Sequence, residues 1–566
     1  MLGKLLRQVR CLFGNTDKSK DKHRGARVFR RASSKARTSK SNEFGPARLL
    51  STSPPVFLTG IARGEDLGIA RAFGRAYGDV QAGFIVFPTW SIERPGRSNQ
   101  INNSLTEHLA LYPRHKFRFI CNTPREAEMM SEVGLSAEFL NKNFMVSDEI
   151  FCPLDGASAE FDAVYVARFM PVKRHELAAQ IPRVGYVAYV QPTGGEDPKD
   201  QFRELCDAAL ARNSDHVLLN RLRDGLPINM SHAEVNAAIN RAAVGLILSE
   251  VEGSSYASME YLLAGVPVVS TPSIGGRDIF FDPEFCLVCE PDPASVGNAV
   301  SAIRARNIPR DIIRARTLAK IAPERRRFLS LVDELIEELG GEARYSAGEA
   351  WPFGDISGVP WRYYREHLEA FGQSERSELA VELGLPAAIL EGVQLQAREL
   401  RPIVAAIKER PNCSLLVFGC GRDTLFWEAV NREGATTFLE DNPGWASRAR
   451  ASVTSATVHL VTYDTKLPDW RQLLDSPAKL VLDLPEEISA RRWDVILVNG
   501  PAGHNDAQTG RMKSIFAASR LVAPGGCVFV HDCQRPAEEA FASRYLGDSR
   551  VFIQVKGRAL LKGYAF

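Results

Sequence analysis

The stretch SEVEGSSYASMEYLLAGVPVV, residues 249–269, carries two glutamates and a run of small residues. Glu252 and Glu260 lie eight residues apart, Gly253-Ser254-Ser255 follows the first, and an Ala-Gly-Val-Pro break follows the second. The preceding GLILS run is apolar enough for a central strand, so Gly253-Ser254-Ser255 should open a helix. The first N–H groups of a helix lack intrahelical partners, and its dipole favours a phosphate or sugar oxygen there. Carboxylates in that setting repel phosphate but accept hydrogen bonds from hydroxyls. A nucleoside diphosphate sugar, with one anionic centre between two polyols, meets both demands. The cation for the diphosphate comes from VARFMPVKRH, where Arg168 and Lys173 follow the strand-like FDAVYVA. The competing reading is an ordinary surface helix, because glutamates eight apart arise often by chance.

A second set of residues suggests different chemistry. LLVFGCGRDTLFW (415–427) reads as a buried strand entering a Gly-x-Gly turn, with Gly419 and Gly421 allowing close approach of a ligand. Alone that motif is weak. It gains weight from ATTFLEDN, a strand ending in Glu440, 19 residues after Gly421, where an acid binds ribose hydroxyls in nucleoside-binding sheets. Thr424 stands where a dinucleotide fingerprint has its third glycine. That tilts the reading from NAD to S-adenosylmethionine, whose sulfonium needs no pyrophosphate cradle. Methyl transfer to oxygen is an in-line displacement, so the hydroxyl proton must leave. His531 and Asp532, ending the strand-like CVFVHD, are placed for that step. Either His531 is the base and Asp532 orients it, or the pair forms part of a metal site; the bland reading is a strand-end turn. Arg511 in TGRM can bind the carboxylate of an acidic sugar.

Those residues need sheets to hold them. The chain has 566 residues, too many for one core, and 45 % hydrophobic with 24 % charged residues suits a globular protein. No run approaches the roughly 20 apolar residues that span a bilayer. Ten scattered cysteines fit a reducing, cytoplasmic compartment. Cys286 and Cys289 form a lone CxxC that reads as buried strand cysteines. His108, His115 and His175 read as structural or surface groups. Residues 1–40 hold 13 Lys/Arg against Asp17 and Asp21, so the net charge of +2 hides a basic tail on an acidic body. Within residues 1–47, MLGKLLRQVRCLFG has the spacing of an amphipathic helix for the inner face of an anionic membrane; a disordered solubilising tail is the alternative. Few aromatics interleave its charge, so no nucleic acid is expected. Strands alternating with helices then give α/β domains with parallel sheets at 48–156 and 157–340, the second closing on the helix 324–339 and Gly340-Gly341. A Gly/Pro/Ser-rich linker follows at 341–361, then a third α/β domain at 362–566 behind a helical lead-in.

Two family resemblances rest on these residues. Arg168, Lys173, Glu252, Glu260, Gly265, Pro267 and Gly275-Gly276 resemble, as an ordered set, the retaining glycosyltransferases of the GT-B fold, a pair of Rossmann-like domains. The resemblance implies that Arg168 and Lys173 hold the diphosphate of a UDP- or GDP-sugar, with the Gly253-Ser254 turn beside it. It also implies Glu252 on the donor sugar and Glu260 on the ribose, with retention at the anomeric carbon and no dedicated metal. The chain departs from that family at Arg174-His175, where Gly is usual, and in a first domain of only about 100 residues. VFGCGRDTLFW, FLEDN, VTYDTKL, WDVILVNGPAGH, GRMKSIF and VFVHDCQRPAEE, in that order, resemble the plant-type glucuronoxylan 4-O-methyltransferase family. That likeness implies a methyl-donor pocket shaped by Gly419, Gly421, Asp423, Glu440 and Asp441, and a sugar hydroxyl as acceptor. Departures are Asn499, where an Asp is usual and would supply a base or metal ligand, and Arg422, where His is usual. The expectation is a bifunctional enzyme of polysaccharide biosynthesis acting on a glycan acceptor. The rivals are a chain with one active half, the other positioning glycan, and a non-catalytic assembly protein at the membrane.

Overall fold

The computed structural model describes residues 47–61, 66–189, 198–348, 351–354, 364–557 and 559–566. The basic tail, with its expected amphipathic helix, lies outside the described residues. Contacts divide the chain into two compact units: the first holds the described residues from Ala47 to His367 apart from Arg75–Tyr77, the second Leu368–Phe566.

The first unit contains two sheets. Strands β1 (Ala47–Thr52), β2 (Pro55–Ile61), β3 (Ala82–Pro88), β4 (His115–Cys121) and β5 (Ala137–Phe139) pair in that order. All are parallel except β1 against β2. Strands β2 and β3 are buried along their whole length, which is why PVFLTGI and AGFIVFP read as unbroken apolar runs. The second sheet is parallel throughout, built from β6 (Ala163–Val166), β7 (Val184–Val187), β8 (Val217–Leu218), β11 (Gly245–Ile247), β12 (Val268–Ser270) and β13 (Cys286–Val288). Their order is β13-β12-β11-β6-β7-β8, and the two-residue strands β9 (Leu222–Arg223) and β10 (Leu226–Pro227) form a separate hairpin. Cys286 is buried at the start of β13, as its apolar surroundings suggest.

Helix α1 (Tyr256–Leu263) packs on the second sheet through Tyr261. A Cβ at Gly245 would lie 2.2 Å from that ring, and the Val166 amide donates to the Tyr261 hydroxyl at 2.7 Å. Helix α2 (Arg310–Glu338) begins fourteen residues before the expected 324 and runs straight through Pro323. A proline removes one helical hydrogen bond and argues for a helix start. Here burial of Ile313, Thr317 and Ile321 before it, and of Phe328, Val332 and Leu335 after it, outweighs that loss. Gly340, at φ +81, ends the helix in the left-handed conformation that glycine adopts without a Cβ penalty. Part of the expected linker is folded: Asp333 accepts the backbone N–H groups of Arg344, Tyr345 and Ser346 at 2.7–3.1 Å, and Trp351 and Phe353 pack on Phe328. Three aromatics inside a Gly/Pro/Ser composition account for the difference.

Most of helix α3 (Tyr364–Glu382) and all of α4 (Ala397–Lys408) fall in the second unit. Its sheet comprises β14 (Ser414–Phe418), β15 (Ala435–Glu440), β16 (Thr457–Leu460), β17 (Trp493–Val498), β18 (Val522–Val530), β19 (Val551–Lys556) and β20 (Leu560–Ala565). The order is β16-β15-β14-β17-β18-β20-β19, parallel up to β18 and antiparallel at β20 and β19. Alternation along β14 sends Leu415 and Val417 into one core and Leu416 and Phe418 into another, so both faces are covered. Chain order reverses between β14 and β17, and in open α/β sheets ligands bind beyond the strand ends at such a point. Helices α5 (Thr424–Val430) and α7 (Pro536–Leu546) begin six residues after β14 and β18, and α6 (Met512–Leu521) fourteen after β17.

Candidate functional sites

In the first unit, the 3-10 turn Pro171–Lys173 after β6 carries Lys173, whose Nζ donates to Glu252 Oε1. The Ser249 hydroxyl donates to the same oxygen at 2.7 Å. Both charged side chains are 9 % exposed. The two groups expected to hold different parts of a nucleotide sugar are thus brought together, but on each other. Arg168 is half-buried with its guanidinium 5.5 Å from the Tyr189 ring, and Glu260 is buried on α1. Arg174 has φ 50 and ψ 50, the left-handed conformation that a glycine adopts cheaply. Its guanidinium donates to the Leu248 carbonyl at 2.7 Å and Thr271 Oγ1 at 2.8 Å, bonds that offset the strain and explain how the chain does without glycine there.

Close backbone approaches build this region. A Cβ at Gly253 would lie 2.9 Å from the Thr89 carbonyl oxygen, and one at Gly275 (φ +111) would strike the Glu252 carbonyl oxygen at 1.6 Å. Ser254 Oγ is buried without a hydrogen-bond partner. Two basic residues here escaped the sequence reading. Arg277 is fully buried and donates to the Ser249 carbonyl at 2.6 Å. Lys142 donates to the carbonyls of Pro88 and Thr89 at 3.1 and 3.2 Å, and burial pushes it down to about 8. Neither sits in a recognisable motif. His108 and His115 are buried and bonded to each other at 2.8 Å, while His175 stacks on Phe169 at 4.1 Å.

In the second unit, three interstrand bonds bring the chemistry to one edge of the sheet. Gly419 N–H donates to Leu439 O (2.7 Å), Asn499 N–H to Phe418 O (3.0 Å), and His531 N–H to Val498 O (3.1 Å). Beyond that edge lies a cavity of about 520 Å³, within the range of small-molecule sites. Its walls include Gly421, Asp423, Asn499, Trp445, Glu399 and His531. Gly419, at φ +105, packs on Gly500, and a Cβ there would come within 3.1 Å of the Gly500 nitrogen. Glu440 does not line the cavity; its carboxylate accepts the N–H of Cys420 at 2.5 Å and of Asn442 at 2.8 Å. It fastens the Gly-x-Gly turn to β15, and burial raises its pKa. Asp441 is exposed. Asp423 is buried, accepts Trp427 Nε1–H at 2.9 Å, and is raised by burial. The Asn499 amide reaches Asp423 at 3.5 Å. An aspartate at 499 would set two carboxylates against each other, so Asn499 partners an acid and is no base itself.

The His531–Asp532 pair departs from expectation. Asp532 Oδ2 is 3.7 Å from His531 Nδ1, too far for a hydrogen bond, and takes Arg511 at 2.7 Å and Arg535 at 3.0 Å instead. Burial would raise Asp532, but Arg511, His531 and Arg535 outweigh it and hold the carboxyl low. Asp532 therefore does not orient the imidazole. Glu399, from α4, does stand on it: Oε1 is 3.3 Å from His531 Nε2. Arg511 is no open receptor for a sugar carboxylate. It is 5 % exposed and donates to the carbonyls of His531 and Pro501 as well as to Asp532, which fixes the strand end. Glu538 is buried behind these arginines with neither oxygen hydrogen-bonded, and burial raises its pKa. Among the described residues no group of three or more His, Cys, Asp or Glu could hold a metal ion.

Glu399 was missed because it precedes the Rossmann-like sheet; its sequence signal, Gln396-x-x-Glu399, reads as a capping box and is one. The residues present suit S-adenosylmethionine: glycines clear the backbone, Trp445 offers a ring, and the cavity sits at the switch point.

Residues 398–562 match the family described as IRX15/IRX15L/GXM. Glucuronoxylan 4-O-methyltransferase 2 of Arabidopsis thaliana is 33 % identical over 161 residues, 25 % of this chain and 56 % of the relative. Arabinogalactan O-methyltransferase 2 of the same plant is 33 % identical over 178 residues, 27 % of this chain and 61 % of the relative. Protein IRREGULAR XYLEM 15, also from that plant, is 35 % identical over 161 residues, 24 % of this chain and 50 % of the relative. The chain thus spans about 50–61 % of the length of these relatives. Among solved structures, sucrose-phosphate synthase of Thermosynechococcus elongatus gives a TM-score of 0.35 at 16 % identity, covering 45 % of this chain and 68 % of that one. Anabaena HepE in complex with UDP-glucose gives 0.35 at 13 % identity, covering 50 % and 78 %. Over residues 398–562 the second unit is thus similar to the IRX15/IRX15L/GXM family, and the first unit holds two mostly parallel α/β sheets.

Proposed function

We propose that the second unit O-methylates a sugar hydroxyl of a glycan and that the first unit binds a UDP- or GDP-sugar for glycosyl transfer. The observation that carries the methylation reading is the cavity at the β14/β17 switch point, where the Gly419–Gly421 turn and His531 meet. S-adenosylmethionine, when bound, supplies a methyl group on a sulfonium, which leaves with the S–CH3 bonding pair. The chain's own residues do the rest. Gly421, Asp423 and Trp445 line the donor side, and His531 accepts the hydroxyl proton as the O–CH3 bond forms. Such proton transfer contributes about 10²- to 10⁴-fold. The substrates named for the relatives, glucuronoxylan and arabinogalactan, are the acceptors to try first.

For the first unit, support comes from Arg168, Lys173, Glu252 and Glu260 gathering after β6 and β11. A donor diphosphate would have to replace Glu252 as the partner of Lys173. That pairing favours, as a second reading, a chain in which the methylating half alone turns over. Full-length chain incubated with methyl-labelled S-adenosylmethionine, UDP- and GDP-sugars and both glycans tests these readings. Label in glycan together with UDP or GDP release supports the bifunctional enzyme, and label alone supports the second reading. No label in any glycan overturns the methylation proposal.

A further inference from the structure

The geometry points to Glu399 as the positioning residue that fixes the imidazole of His531 with its proton on Nε2, making Nδ1 the proton acceptor. The inference rests on the methyl-transfer reading above and adds a residue from a helix outside the Rossmann-like sheet.

A neutral imidazole carries one N–H, and an ionised carboxylate only accepts. Glu399 Oε1 lies 3.3 Å from His531 Nε2, while Oε2 accepts the Gln396 N–H at 2.7 Å. The residue is fully buried, so a bond to Nε2–H offsets its desolvation. The space is kept by Gly557: a Cβ there would lie 2.6 Å from Glu399 Oε1 and 2.8 Å from Gln396 Oε1. Asp532 cannot take over the task, since Arg511 and Arg535 hold the oxygen that faces Nδ1 at 3.7 Å. Nδ1 therefore keeps its lone pair. When it takes a proton, the imidazolium has Glu399 on one side and Asp532 on the other. Asp423 adds a third negative group from the start of α5, and Arg511 and Arg535 oppose it through Asp532.

The test is E399Q in the full-length chain, because glutamine can still cap α4 through its carbonyl oxygen. Nitrogen-15 NMR of the histidine rings, with H531Q to assign the signal, should find the His531 proton on Nε2 in the unsubstituted protein. In E399Q the His531 ring signals should move, because the carboxylate that holds the Nε2 proton is lost. If the glycan assay gives turnover, kcat should drop about 10- to 100-fold, by analogy with carboxylates that orient metal-bound histidines. S-adenosylhomocysteine affinity should be unchanged. E399D, keeping the charge on a shorter arm, should fall between. A proton on Nδ1, or unchanged ring signals in E399Q, overturns the inference, as does a parallel collapse of S-adenosylhomocysteine affinity. A chain with no turnover on any glycan sinks the functional reading, while the ring signals still decide the role of Glu399.

Discussion

Lys173 and Glu252 in the first unit are bonded to each other, whereas His531 in the second faces a cavity of about 520 Å³. Both sites gather basic and acidic groups beyond the ends of parallel strands. They differ in where the charges point. In the first, the cation expected to meet a diphosphate is neutralised by the acid expected to meet a sugar. In the second, Arg511 and Arg535 neutralise Asp532 within the wall, and the imidazole stays beside open space with Glu399 behind it. A motif in the right order can therefore be folded and still occupied by its own members.

Three changes would break or sharpen that contrast. The largest effect belongs to His531. H531A should lower methyl transfer about 10²- to 10⁴-fold, with S-adenosylhomocysteine affinity unchanged by calorimetry; wild-type turnover would remove the base and the contrast with it. Next comes the ion pair of the first unit. E252A strands a buried ammonium, and removing one member of a buried pair costs about 3–5 kcal/mol. Its thermal transition should fall steeply, and K173M/E252L should recover most of the loss. An unaltered transition in E252A would mean that the pair contributes nothing.

Stability at acid pH carries the contrast further. Burial pushes His108 to about 3, His115 to about 4 and His175 to about 3, each below the ordinary 6.5. Below about pH 6.5 the unfolded chain binds protons that these folded histidines refuse, so stability present above that pH is lost as the pH falls. The slope is about 1.4 kcal/mol per pH unit for each group. Asp532 in the second unit behaves otherwise: its carboxyl is held low, so its contribution persists until the ordinary carboxylate range is reached. Between pH 7 and 5, calorimetry should show the first unit's transition falling more than the second's. Parallel shifts would contradict this assignment.

Much of the architecture was legible because burial writes itself into the strands. PVFLTGI, AGFIVFP and SLLVF are mostly apolar, buried throughout, and form central strands. Pro323 hid half of α2, because a local penalty shows in sequence and the long-range burial that overrides it does not. Tyr345, Trp351 and Phe353 were lost in a linker-like composition for the same reason. At the cavity of the second unit the strand-end residues Gly419, Gly421, Asn499 and His531 could be found, since the topology alone converges them. Side-chain commitments could not. Arg511 is spent on carbonyls and Asp532, Glu440 ties a turn, and Glu399 arrives from a helix that no strand motif marks.

The space beside Gly421 has the place and lining of a methyl-donor site. A crystal structure of the chain soaked with S-adenosylhomocysteine tests it most directly. The account predicts the ligand between Gly421, Asp423 and Trp445, with its sulfur turned towards His531. A ligand bound elsewhere, or an unchanged cavity at saturating concentration, would contradict it.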